Sequence, residues 1–115
     1  MNNNSITVEE LKKRLESGEN LVLLDVRDEE KFLQGSLQWN GTATRNIPYV
    51  QMRDQNEEAL AALDTLPHNA MLITLCTSGN KANKAATLLN ESGLKAVSLE
   101  GGLTAWKNTG QHGKE

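Results

Sequence analysis

Apolar residues recur along the chain with two alternating periods, and the alternation predicts the architecture. Leu21-Val22-Leu23-Leu24-Asp25-Val26 is unbroken apart from one late carboxylate, the pattern of a strand covered on both faces, as in parallel sheets. Met71 to Leu75 gives a second such run, with Leu72, Ile73 and Leu75, and Lys95 to Leu99 a third. Ser5-Ile6 fits a short edge strand. Asn46-Ile47-Pro48 fits a very short strand closed by proline, which cannot donate to a central ladder. The intervening segments have helical spacing. Val8, Leu11 and Leu15 share one face of a helix opened by Thr7, with Glu10 three residues on as a capping box. Glu9 with Lys13 and Glu10 with Arg14 are spaced to pair on its other face, and Gly18 ends it.

Further helices are predicted over Asp28 to Gln34, stopped by Gly35, and over Glu57 to Leu63, with a start as early as Tyr49. Ala82, Ala85, Ala86 and Leu89 form an apolar stripe ending at Gly93. Leu103 to Asn108 follows a permissive Glu100-Gly101-Gly102 turn. Ser36 to Arg45 is polar and aperiodic and reads as a loop with Trp39 exposed or nearly so. Residues 1–4 and 110–115 read as flexible tails. Strands alternating with helices through short links predict one α/β domain over residues 1–115, with a mainly parallel sheet and helices on both faces. In such sheets ligands sit beyond the carboxyl ends of the strands.

Cys76 stands at such an end, and it is the only cysteine of the 115 residues. Four small or polar residues, Thr77-Ser78-Gly79-Asn80, separate it from Lys81 and the helical stripe. Strand, tight loop and helix in that order bring the thiol over a helix N-terminus. Unpaired N–H groups and the positive end of the dipole favour an anion there, and the thiolate is the nucleophilic form of cysteine. A lone cysteine makes no intrachain disulfide, which suits a reducing, cytoplasmic setting.

The formal net charge of -3 and pI near 5.4 give no general attraction to nucleic acid or an anionic membrane. The N-terminus has no signal-peptide pattern, and no segment has the apolar length of a membrane span. Any anion site must therefore be local. His68 and His112 are far along the chain from any cluster of ligating residues and are read as surface residues, so no metal and no organic cofactor is expected. Gly79-Asn80-Lys81-Ala82 is not a nucleotide loop, because glycine does not directly precede the lysine and no Ser or Thr follows it.

Asp25-Val26-Arg27 followed by Glu30 and Phe32, then Gly35, Asn46-Ile47-Pro48, the loop from Cys76, and Gly101-Gly102 ahead of Trp106 together resemble the rhodanese-like sulfurtransferase domain in its single-domain form. The resemblance covers most of the chain and implies a five-stranded parallel sheet flanked by helices. It also implies a cysteine that carries sulfur as a persulfide. Two departures stand out: Lys81 replaces an arginine frequent late in the loop, and Ser36 replaces a frequent histidine. The stretch from Gly35 to Asn46 is also long, which fits a polar surface insertion or a docking loop carrying Trp39.

Loop length separates this reading from cysteine phosphatases and arsenate reductases. Phosphatases need an arginine six residues after the cysteine to clamp a tetrahedral anion; that position is Ala82, and no arginine occurs from Cys76 onward. On the resemblance, Cys76 attacks a thiosulfate-like donor and passes the sulfur to a thiol, a protein or cyanide. Thr77, Ser78, Gly79, Asn80 and Lys81 are expected to cradle the donor, Lys81 as a point charge. Thr77 and Ser78 are equally suited to cap the next helix, and Lys84 reads as a solvated charge. Asp25, Arg27 and Glu30 read as a structural ion-pair group, and Trp106 as packing beneath the glycine turn. The alternative reading is a non-catalytic rhodanese-like module for binding or thiol redox sensing.

Overall fold

The computed structural model describes residues 5–113, with side chains described through Asn108; the expected tails at 1–4 and 114–115 lie outside the described residues. The elements in order are β1 (Ser5–Ile6), α1 (Val8–Glu16), β2 (Leu21–Asp25), α2 (Glu29–Gln34), β3 (Ala43–Asn46), α3 (Tyr49–Arg53), α4 (Glu57–Asp64), β4 (Met71–Leu75), α5 (Asn80–Glu91), β5 (Ala96–Leu99) and α6 (Gly102–Gly113). They build one five-stranded sheet in the order β1-β5-β4-β2-β3, with every neighbouring pair parallel.

Alternate residues of the central strands feed two cores. Val22, Leu24 and Leu72 face a layer of α3, α4 and α5 through Met52, Ala59, Ala82, Ala85, Ala86 and Leu89. Leu21, Leu23, Ile73 and Leu75 face α1 and α6 through Leu11, Leu15 and Leu103. The unbroken apolar runs arise because both faces of β2 and β4 are covered. The three alanines of α5 let that helix lie close against the sheet. Among the described residues no helix is long and apolar enough to cross a membrane.

The capping box at α1 forms as expected: Glu10 N–H donates to Thr7 Oγ1 at 3.1 Å and Thr7 N–H to Glu10 Oε1 at 2.9 Å. That commitment removes Glu10 from the expected pair with Arg14, which meets Glu19 instead at 3.4 Å. The predicted helix between Tyr49 and Leu63 divides in two at Asp54-Gln55-Asn56. Gln55 takes φ 58° there, and the Asn56 side chain accepts from Glu58 N–H and Ala59 N–H to start α4. At the other end, α6 carries helical backbone past Asn108 to Gly113, through positions read as tail.

Residues 36–45 are not a free surface loop. Leu37 is buried in the α1/α6 core, Trp39 and Thr42 form an antiparallel bridge around Gly41, and Ala43 to Arg45 continue into β3. Trp39 is half-buried and meets Trp106 edge to face, ring centroids 6.1 Å apart, while Lys12 Nζ lies 5.6 Å from the Trp106 ring centre. Ala105 lies against the glycine turn, its Cβ 2.7 Å from where a Cβ on Gly101 would stand, and Trp106 packs on the same core beside it.

Candidate active site around Cys76

The parallel register places Asp25 opposite Leu75, so the chain leaves β2 and β4 side by side. Val26 N–H donates to Leu75 O at 2.9 Å and closes that edge. Cys76 follows directly, 4 % exposed, in the core on the α5 side. Gly79, with φ 106°, turns the loop into α5, a conformation that side chains disfavour.

The cysteine sulfur takes over the helix-capping role assigned to Thr77 or Ser78. Sγ accepts from Gly79 N–H at 3.0 Å and from Ala82 N–H at 3.3 Å, as an N-cap acceptor does. Thr77 and Ser78 are exposed, and no side-chain bond caps α5 at its Gly79 N-cap. Ala82 is fully buried beneath the loop, where a phosphatase would carry its arginine. Both donors to Sγ are dipoles fixed by the backbone, an arrangement that stabilises negative charge on sulfur without reorganisation.

A second wall comes from α6. Leu103 N–H donates to Cys76 O at 2.8 Å and Thr104 N–H to Thr77 O at 3.1 Å. These two bonds hold the Cys76 and Thr77 carbonyls, while most of the loop N–H groups are left over. Those of Thr77, Ser78, Asn80 and Lys81 have no acceptor among the described residues. The same four residues line a cleft of about 280 Å³ together with Arg27, Asp28, Lys31 and Cys76. The cleft therefore brings together all the expected loop residues except Gly79, which contributes its N–H to the sulfur. Lys84 is exposed and not part of the wall.

Arg27 and Lys31 were not expected in this cleft, since their place depends on the adjacency of β2 and β4 rather than on local sequence. Arg27 does form the expected pair with the fully buried Asp25: Nη2 lies 2.7 Å from Oδ2 and Nε 3.0 Å from Oδ1. Arg27 Nη2 also donates to Gly35 O at 2.7 Å, and Ser36 Oγ to Asp25 Oδ2 at 2.7 Å. Glu30 is exposed and makes no ion pair among the described residues. The network fixes the turn after α2 and holds the guanidinium as part of the cleft wall. Asp25→Asn, which keeps the volume but removes the charge facing Arg27, is expected to lower stability by about 2 kcal/mol, measured as a shifted urea midpoint at unchanged slope.

A family model described as the rhodanese-like domain matches residues 7–109. The Bacillus subtilis (strain 168) protein named "Putative sulfurtransferase YtwF" is 29% identical over 102 residues, covering 89% of this chain and 88% of that protein. The maize adenylyltransferase and sulfurtransferase MOCS3-1 is 34% identical over 102 residues, which are 88% of this chain and only 21% of that longer protein. Among solved structures, a rhodanese-related protein from Thermoplasma volcanium superposes with a TM-score of 0.70 at 25% identity, covering 94% of each chain.

Proposed function

The chain belongs to the rhodanese-like domain family, and from that premise we propose that it is a sulfurtransferase of the thiosulfate type working through a Cys76 persulfide. The observation that carries this reading is the pair of backbone N–H donors on Cys76 Sγ at the floor of a small cationic cleft. The Cys76 thiolate attacks the outer sulfur of thiosulfate; a bond forms from Sγ to that sulfur, the sulfur–sulfur bond of the donor breaks, and sulfite leaves with the electron pair. The new terminal sulfur carries the negative charge and is received by the loop N–H groups from Thr77 to Lys81. A thiol or cyanide then takes the outer sulfur, and the electron pair of the broken bond returns to Cys76 as thiolate. A cytoplasmic setting keeps the thiol reduced between turnovers.

Lys81, at the mouth of the cleft, meets the sulfonate end of the donor. Lysine holds it as a point charge and not through a bidentate fork. Because the side chain is exposed, Lys81→Met is expected to raise the KM for thiosulfate about fivefold with little change in kcat, read from initial rates at varied donor. The proposed activity is tested by following thiocyanate release from thiosulfate and cyanide, with an aryl phosphate as the control substrate. Turnover of the first alone supports the reading; no turnover of any sulfane donor, with Cys76 still open to alkylation, overturns it in favour of a binding or redox-sensing module.

A further inference from the structure

Beside the Cys76 cleft lies another of about 400 Å³, whose lining includes Arg27, Lys31, Leu37, Leu103, Trp106 and Lys107. Arg27 and Lys31 belong to both clefts, so the two share a wall. Leu103 joins them from the other side: its N–H is bonded to the Cys76 carbonyl at 2.8 Å while the residue lines the second cleft. Its apolar lining is Leu37 and Leu103, both buried, and the half-buried Trp106, beside the polar Gln34, Ser36 and Gln38.

Three cationic residues and no carboxylate line this cleft, in contrast to the first, which includes Asp28. Asp25 already neutralises Arg27. Lys31 and Lys107 form no ion pair among the described residues. On a chain of net charge -3, this is a local patch of positive charge adjoining the nucleophile, around a cleft whose volume is in the range of small organic ligands.

Resting on the sulfurtransferase reading, we infer that the second cleft is the acceptor site and takes a low-molecular-weight thiol bearing carboxylates. Its carboxylates lie toward Lys31 and Lys107, its carbon skeleton rests on Leu37, Leu103 and Trp106, and its sulfur enters the first cleft past Arg27. The acceptor, having lost its proton to solvent, attacks the outer sulfur of the Cys76 persulfide. The acceptor–sulfur bond forms, the bond to Sγ breaks with its electron pair returning to Cys76, and the acceptor leaves as a persulfide. The acceptor thus meets the outer sulfur in line with, and opposite to, its bond to Sγ, on the side from which sulfite departed.

The test starts from protein loaded with thiosulfate and desalted, so that discharge alone is measured, in wild type and Lys107→Glu, with mercaptosuccinate and with neutral 2-mercaptoethanol. The expected result is discharge by mercaptosuccinate slowed about tenfold in the variant, and discharge by 2-mercaptoethanol changed less than twofold. Equal slowing of both thiols, or no change with either, overturns the acceptor site. A second readout stands apart from catalysis. In a Trp39→Phe background Trp106 is the remaining tryptophan, and titration with the unreactive 2-(methylthio)succinate is expected to change its fluorescence saturably, with affinity weakened about tenfold by Lys107→Glu. Failure to load sulfur counts against the sulfurtransferase reading, whereas an unchanged or Lys107-independent titration counts against the cleft.

Discussion

Cys76→Ser is expected to lower sulfur transfer at least about a thousandfold while leaving the fold in place. The two halves of this expectation have separate causes. Activity is lost because the hydroxyl is a far weaker nucleophile, and among the described residues no histidine or carboxylate is hydrogen-bonded to position 76 to activate it. Stability is kept because the sulfur's structural role is to accept from Gly79 N–H and Ala82 N–H, and a serine hydroxyl of nearly the same size can accept from the same donors. The urea midpoint should therefore correspond to a change within about 1 kcal/mol. Thiocyanate release and urea unfolding on the same preparation check both halves. Substantial activity in a folded serine variant contradicts the assignment of the nucleophile.

Gly102→Ala has the second large effect, and it acts through the backbone. Gly102 takes φ 65°, and an added Cβ would stand 2.5 Å from Thr77 O and closer still to Cys76 O. Those two carbonyls accept from Thr104 N–H and Leu103 N–H, so relief of the clash moves the start of α6 away from the cysteine loop. The left-handed conformation costs about 1–2 kcal/mol for alanine, and forced overpacking about 1–3 kcal/mol more. A loss of roughly 3–4 kcal/mol is expected on those terms, together with a fall in kcat as the loop N–H groups shift. Gly93→Ala supplies the control, since Gly93 has φ 92° but nothing within 4 Å of the added carbon. A difference of at least about 2 kcal/mol between the two variants isolates the contact; equal effects show that the turn carries only a conformational requirement.

These two positions also mark what could be read from the sequence. The strand–cysteine–glycine–helix order was legible because each step is local: an apolar run, a permissive glycine, a stripe of alanines. Gly101-Gly102 was legible as a turn, but its contact with the Cys76 and Thr77 carbonyls was not, since it joins segments about a quarter of the chain apart. The same limit explains β3. Ala43 to Asn46 has little apolar alternation and becomes a strand through its register with Val22 to Asp25, an edge position where one face is only partly covered.

Trp39 looked like a surface residue because its neighbours are polar, yet its partner, Trp106, is supplied by α6. Arg27 was recognised with Asp25 as a structural pair, and the pair forms. Its further place in both clefts follows only from the side-by-side ends of β2 and β4. Thr77 and Ser78 have the right side chains for capping, but the sulfur reaches those N–H groups in their place.

The measurement that tests the central claim most directly is the intact mass of the protein after incubation with thiosulfate and removal of excess donor. Wild type and Cys76→Ser are compared, each with and without a reducing thiol. The account predicts a gain of one sulfur atom on wild type, absent from the serine variant and reversed by the thiol. An unchanged mass at saturating donor, with Cys76 still modified readily by an alkylating reagent, contradicts the persulfide and leaves the cleft as a recognition site without transfer.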